Sequence, residues 1–148
     1  MTIRDDKFGK VQKAIEKAVV TALYEAAIIV HGDAVLKAPV GQYPQGSGVV
    51  GGNLRSSIAF DVDEKDSIAY VGTNVEYAPH VEYGTRPHII RAKNAKALSN
   101  GSIIFGKKVN HPGTKPQPFL RPALDENEDK IQKKIKATIK AAIEGATR

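Results

Sequence analysis

Four histidines, His31, His80, His88 and His111, carry the readiest chemistry in this chain, because an imidazole titrates near neutrality and ligates metals. Their separations of 49, 8 and 23 residues match no ligand pattern, and no cysteine is present to complete a thiolate site. Asp61, Asp63, Glu64 and Asp66 form an acidic cluster, but Lys65 stands where a calcium loop needs an oxygen donor and no glycine follows it. That cluster reads as the solvated turn of a hairpin. His80 and Glu82 are two residues apart, an acid and a base without an orienting third group or a nucleophile beside them. No nucleophile elbow, dinucleotide-binding glycine pattern or Gly-Lys-Ser/Thr phosphate loop appears. The residues therefore point away from catalysis, cofactors and metals, and towards binding.

Charge supplies the positive signal. The chain of 148 residues has a net charge of +6. Residues 41–82 hold 2 basic and 6 acidic side chains, whereas residues 83–121 hold 8 basic and none acidic. An acidic block followed by a basic block suits electrostatic complementarity, and the partner of the basic block is another copy's acidic block, another protein or DNA. Aromatic side chains for base stacking are few in the basic block: Tyr83, Phe105 and Phe119.

The elements that must carry these blocks follow from periodicity. Val11, Ile15, Ala18, Ala22, Ala26 and Ile29 recur at three- and four-residue steps, which predicts one long helix from Asp5 to Leu36, with Gly32 as a place for a kink. Lys37-Ala38-Pro39 ends it. Residues 39–53 are rich in glycine and read as a loop. Ile58, Phe60 and Val62 alternate with polar or small residues, and residues 68–71 make the return strand. A short helix lies within Val75 to Tyr83 with Gly84 as its cap, and strands follow at His88 to Arg91 and Ser102 to Phe105. Pro122 opens a last helix with acids early, lysines late and Leu124, Ile131, Ile135, Ile139 and Ile143 on one face. The fold expected is α+β, a single domain over residues 1–148. It has a long N-terminal helix, an antiparallel sheet of three to four strands with long loops, and a C-terminal helix packed on the sheet. Loops at about 40–53 and 92–116 are expected to be mobile until ordered by a neighbour. The N-terminus lacks an apolar signal region, and the longest unbroken apolar run, Ala26 to Val30, is short for a membrane span.

Three motifs occur in order: "APVGQYPQGSGVVGGNLRSSI" from Ala38, "YAPHVEYGTRP" from Tyr77 and "PQPFLRPAL" from Pro116. Together they resemble the tailed-phage head–tail connector or tail-completion family named after gene product ten of a lambdoid phage. The resemblance runs from about Ala38 to Asp125, and the long glycine-rich link between Pro39 and Asn53 looks like an insertion relative to it. It implies a structural virion protein at the neck or tail end, assembled in the bacterial cytoplasm. It also implies a ring of identical copies, sixfold as a first expectation, with DNA passing through it. Head-closure and tail-tube proteins would be its neighbours, and no membrane is involved. A tail-terminator protein of the same virion region and a basic nucleic-acid-binding module are the alternatives. Val81, Glu82, Tyr83, Arg86, Lys107 and Lys108 are the expected interface residues, with Val81 and Tyr83 as apolar contacts and Glu82 and Arg86 as a charged rim. Phe119, Leu120, Pro122 and Leu124 are the expected anchor of the closing helix, with Phe119, Leu120 and Leu124 buried against the first helix and the sheet.

Overall fold

The computed structural model describes residues 3–42, 51–93, 96–99 and 103–148. Those residues form two compact units, one of Met1–Val75 with Phe119–Arg148 and one of Glu76–Pro118.

The first unit is built on α1 (Ile3–Lys37), a helix of 35 residues. At 1.5 Å per residue it is roughly 50 Å long. Its buried positions are small: Ala18, Ala22, Ala27, Val30 and Ala34, followed by Ala38 just past its end. Side chains of that size let other elements approach the helix axis closely. The C-terminal helix α5 (Glu128–Thr147) runs along α1, as do α4 (Leu120–Asp125) and the hairpin of β1 (Ile58–Asp63) and β2 (Ile68–Thr73). Polar contacts fix the helix pair. Glu25 accepts a hydrogen bond from the Thr138 hydroxyl at 2.8 Å and pairs with Lys134 at 3.2 Å. At the far end Lys37 bridges Asp33 and Glu126, while the Asn127 amide donates to Asp33 at 2.8 Å.

The end of α1 is closed from α2 (Asn53–Ser57), a turn of helix in what the sequence suggests is the edge of a loop. Arg55 Nη2 donates to the carbonyls of Ala38 at 2.8 Å and Leu36 at 3.4 Å. A cation on the last carbonyls of a helix satisfies orphan acceptors and opposes the dipole. Leu54 beside it is buried, so the "LR" of the first motif is one residue of core and one residue of cap. The glycine-rich residues 43–50 before it, with residues 94–95 and 100–102, lie outside the described residues. The expectations of mobility there are not addressed by the structure.

The second unit holds α3 (Ala78–Tyr83) and two antiparallel pairs: β3 (His88–Arg91) with β6 (Lys108–His111), and β4 (Leu98–Ser99) with β5 (Ile104–Gly106). The α+β class therefore stands, with the long first helix, antiparallel strands and closing helix in place. Two details differ from expectation. The described strands form three two-stranded ladders instead of one sheet of three to four, because the β1–β2 hairpin lies on α1 while β3 finds its partner 20 residues later in the same arm. The closing helix packs chiefly on α1 and not on a sheet, touching it through Lys134 and Thr138, and none of its residues is fully buried.

Candidate assembly surfaces

In the second unit, α3 stops at Gly84, whose φ of 71° is costly for any residue with a Cβ. The chain then pairs with itself through a Gly-Thr-basic-Pro sequence used twice, Gly84 to Pro87 and Gly113 to Pro116. Thr85 and Thr114 exchange backbone hydrogen bonds at 3.0 and 3.2 Å, and their hydroxyls lie 3.1 Å apart. A Cβ on Gly84 would come within 2.5 Å of the Thr114 carbonyl, and one on Gly113 would strike the Thr85 carbonyl. Both glycines are there because two backbones meet. The register continues past Pro87 and Pro112 into β3 and β6, with His88 opposite His111, Ile89 opposite Asn110, Ile90 opposite Val109 and Arg91 opposite Lys108. The Ala92 N–H to the Lys107 carbonyl, at 3.0 Å, extends it by one more step.

This ribbon accounts for two histidines. His88 Nδ1–H donates to the Arg86 carbonyl at 2.9 Å, and the Gly113 N–H donates to His111 Nδ1 at 3.1 Å. The rings face one another with centroids 5.0 Å apart. In the first unit, His31 Nε2–H donates to the Ile58 carbonyl at 3.1 Å and its ring meets Phe60 edge-on. Three of the four imidazoles thus hold strands or turns in place. Among the described residues no group of three or more His, Asp or Glu is arranged to hold a metal ion.

The sequence-derived interface residues divide. Tyr83, Arg86, Lys107 and Lys108 are exposed, and Val81 is half-buried with its carbonyl accepting the Gln117 N–H at 2.8 Å. Glu82 is 7% exposed, so it is no rim residue. In so short a helix Ala78 and Glu82, four residues apart, share the buried side, which turns Tyr83 outwards. Among the anchor residues Phe119 is fully buried, Leu120 and Pro122 are half-buried, and Leu124 is 54% exposed, contrary to its expected place in the core. Ala123 takes the inward position next to it. Arg91, which sequence reasoning passed over, faces Lys108 across the ribbon. The repeated Gly-Thr-basic-Pro was the signal that would have found this pairing.

The first unit carries the acidic counterpart. Asp63 Oδ1 accepts the N–H groups of Lys65 and Asp66, each at 3.0 Å, which closes the β1–β2 turn. Asp61, Glu64 and Asp66 are exposed around it. The Tyr24 hydroxyl, 3.4 Å from Glu64, is pushed above its ordinary pKa by lost hydration and then by the carboxylates of Glu64 and Asp61.

A family model matches residues 5–84, described as "Bacteriophage HK97-gp10, putative tail-component". The match runs from α1 to the Gly84 turn and covers more than half of the chain, and the chain belongs to this family of phage tail components. Comparison with curated proteins and with solved structures gives no significant match.

Proposed function

We propose that this member of the gp10-like family is a tail-completion protein of the virion neck, and that its work is binding and not catalysis. The observation that carries the reading is the family match from α1 to Gly84, joined to a third motif beyond it, "PFLRPAL", whose Phe119 is buried in the first unit. The motif residues have structural duties: Arg55 caps α1, Gly84 and Thr85 join two strands, and Phe119 fills the core. Copies associate head to tail, and a heterologous contact of suitable rotation closes into a ring. Six copies are the first expectation. The ring joins the tail tube to the head-closure proteins, the genome passes through its centre, and assembly takes place in the host cytoplasm. A tail-terminator role in the same region is the neighbouring reading.

Mass measurement of the purified protein, alone and with isolated tail tubes, tests this. A closed multiple of the chain mass, or saturable binding to tube ends, is expected. A chain that stays monomeric and ignores tubes overturns the reading. The eight cations of residues 83–121 favour one competitor, an independent duplex-binding module. Tight, salt-dependent retention of nonspecific duplex by a stable monomer would establish that competitor instead.

A further inference from the structure

The ribbon of β3 and β6 lies outside the residues matched by the family model, and it contains a local arrangement that its own unit does not explain. Arg91 and Lys108 are direct cross-strand neighbours, both exposed. Like charges in that position destabilise a ladder. Residues 83–121 hold no carboxylate, and the two of the same unit, Glu76 and Glu82, precede the ribbon. Side chains alternate along a strand, so Arg91 and Lys108 share a face with the adjacent pair Ile89 and Asn110. Ile89 on that face is 50% exposed. Ile90 and Val109, on the other face, are half-buried.

The β1–β2 hairpin of the first unit presents the complementary pattern. Its inner face holds Ile58 and Val62, which are buried, and Phe60, which meets His31 of α1. The outer face holds the cross-strand pairs Asp61 with Tyr70 and Asp63 with Ile68. Tyr70 is 55% exposed and Ile68 42%. Both faces belong to two-stranded antiparallel ladders with the same two-residue repeat, about 6.7 Å along each strand. One face offers cations beside an isoleucine, and the other offers carboxylates beside a tyrosine and an isoleucine.

We propose that the outer face of the β3–β6 ribbon of one copy seats on the outer face of the β1–β2 hairpin of the next copy. Arg91 and Lys108 then lie against Asp61 and the acids of the hairpin turn, and Ile89 covers Tyr70 and Ile68. The two faces are different patches of one chain, so the contact is heterologous and propagates from copy to copy. Duplex DNA is the weaker partner for this ribbon, because phosphates satisfy the cations but leave Ile89 without an apolar neighbour. The inference rests on the proposed neck role only in requiring that copies associate.

Mixing two charge-reversed variants tests it. Arg91→Glu/Lys108→Glu spoils the ribbon face alone. Asp61→Lys/Asp66→Lys spoils the hairpin face alone and leaves the Asp63 turn intact. Circular dichroism melts confirm that each is folded, with Arg91→Gln/Lys108→Gln and Asp61→Asn/Asp66→Asn as milder versions. At low ionic strength each variant alone should self-associate about tenfold or more weakly than the native chain, because each contact now opposes like charges. An equimolar mixture should regain association, since the acidic ribbon of one variant fits the basic hairpin of the other and the two native faces fit each other. Native-like association of either variant alone, or two weakened variants that fail to rescue each other on mixing, overturns the pairing and leaves the neck reading standing. Loss of duplex retention in the ribbon variant, with association unchanged, assigns the ribbon to DNA. A native chain that never associates, alone or on tail tubes, removes both the pairing and the neck reading.

Discussion

At the scale of single residues, the motif "PFLRPAL" shows how far sequence reading reaches. A large aromatic residue between two prolines, just before a helix, was legible as an anchor, and Phe119 has no exposed surface. Leu124 was not legible, because the short α4 ends at Asp125 and only its geometry decides that Ala123 turns inwards and Leu124 outwards. Glu82 fails for a related reason: hydropathy places a glutamate at the surface, while the position opposite Tyr83 on a six-residue helix places it inside. Phe119 and Leu124 should therefore respond differently to truncation. Phe119→Ala should cost ~3–5 kcal/mol, the range for emptying a buried aromatic site. For a chain of this size that is a fall in thermal midpoint of roughly 10 °C. Leu124→Ala should stay within about 1 kcal/mol. Thermal melts of both variants check this, and equal losses would show that Leu124 is covered as completely as Phe119.

At the scale of elements, α1 and α5 were legible because a 3.6-residue repeat over many turns is hard to mistake. The ribbon was not. Residues 106–117 contain prolines, glycines and lysines, which read as loop, and nothing local reveals that residue 88 pairs with residue 111. Long-range register is a property of two segments at once. The α1–α5 pair makes a prediction of its own. The Glu25 carboxyl sits below its ordinary pKa of 4.5, first through the Thr138 hydroxyl and then through Lys134, against an opposing loss of hydration. A carboxyl with a depressed folded-state pKa contributes stability that is present above the unfolded value. That contribution is lost as the pH falls through the folded value. The helix pair should thus weaken as the medium is acidified below about pH 4.5. Glu25→Gln keeps a hydrogen-bonding group but cannot titrate. Melts between about pH 6 and about pH 3 should show a shallower acid slope for Glu25→Gln than for the native chain. Identical slopes would mean that Glu25 holds its partners no better charged than neutral.

At the scale of the whole molecule, α1 poses the question of what surrounds the protein. Within Lys7–Lys37 its most apolar 18-residue stretch has a mean hydropathy of 1.6, enough by length and composition to cross a bilayer. Tyr24, Ile28 and Leu36 on it are exposed, so apolar surface is left over after α4, α5 and the hairpin have packed. Insertion, however, would have to carry Glu25 and Asp33 into hydrocarbon and strip them of Thr138, Lys134 and Asn127. Charged side chains at the centre of a membrane cost about 2.5–3.5 kcal/mol each even on the lenient insertion scale. Those same partners lie on α5 and at its N-terminal cap, so insertion also dismantles the helix pair that makes the first unit. Covering Ile28 and Leu36 with protein needs none of this, and the proposed neck assembly would bring protein neighbours on several sides. The native chain mixed with neutral or anionic lipid vesicles should accordingly remain in the dense aqueous fraction on flotation, at low and at high salt. Ile28→Ser/Leu36→Ser should leave that result and the melting behaviour nearly unchanged while weakening association with tail tubes. Flotation of the native chain that survives high salt, and is abolished in Ile28→Ser/Leu36→Ser, would make α1 a membrane element and reverse the argument.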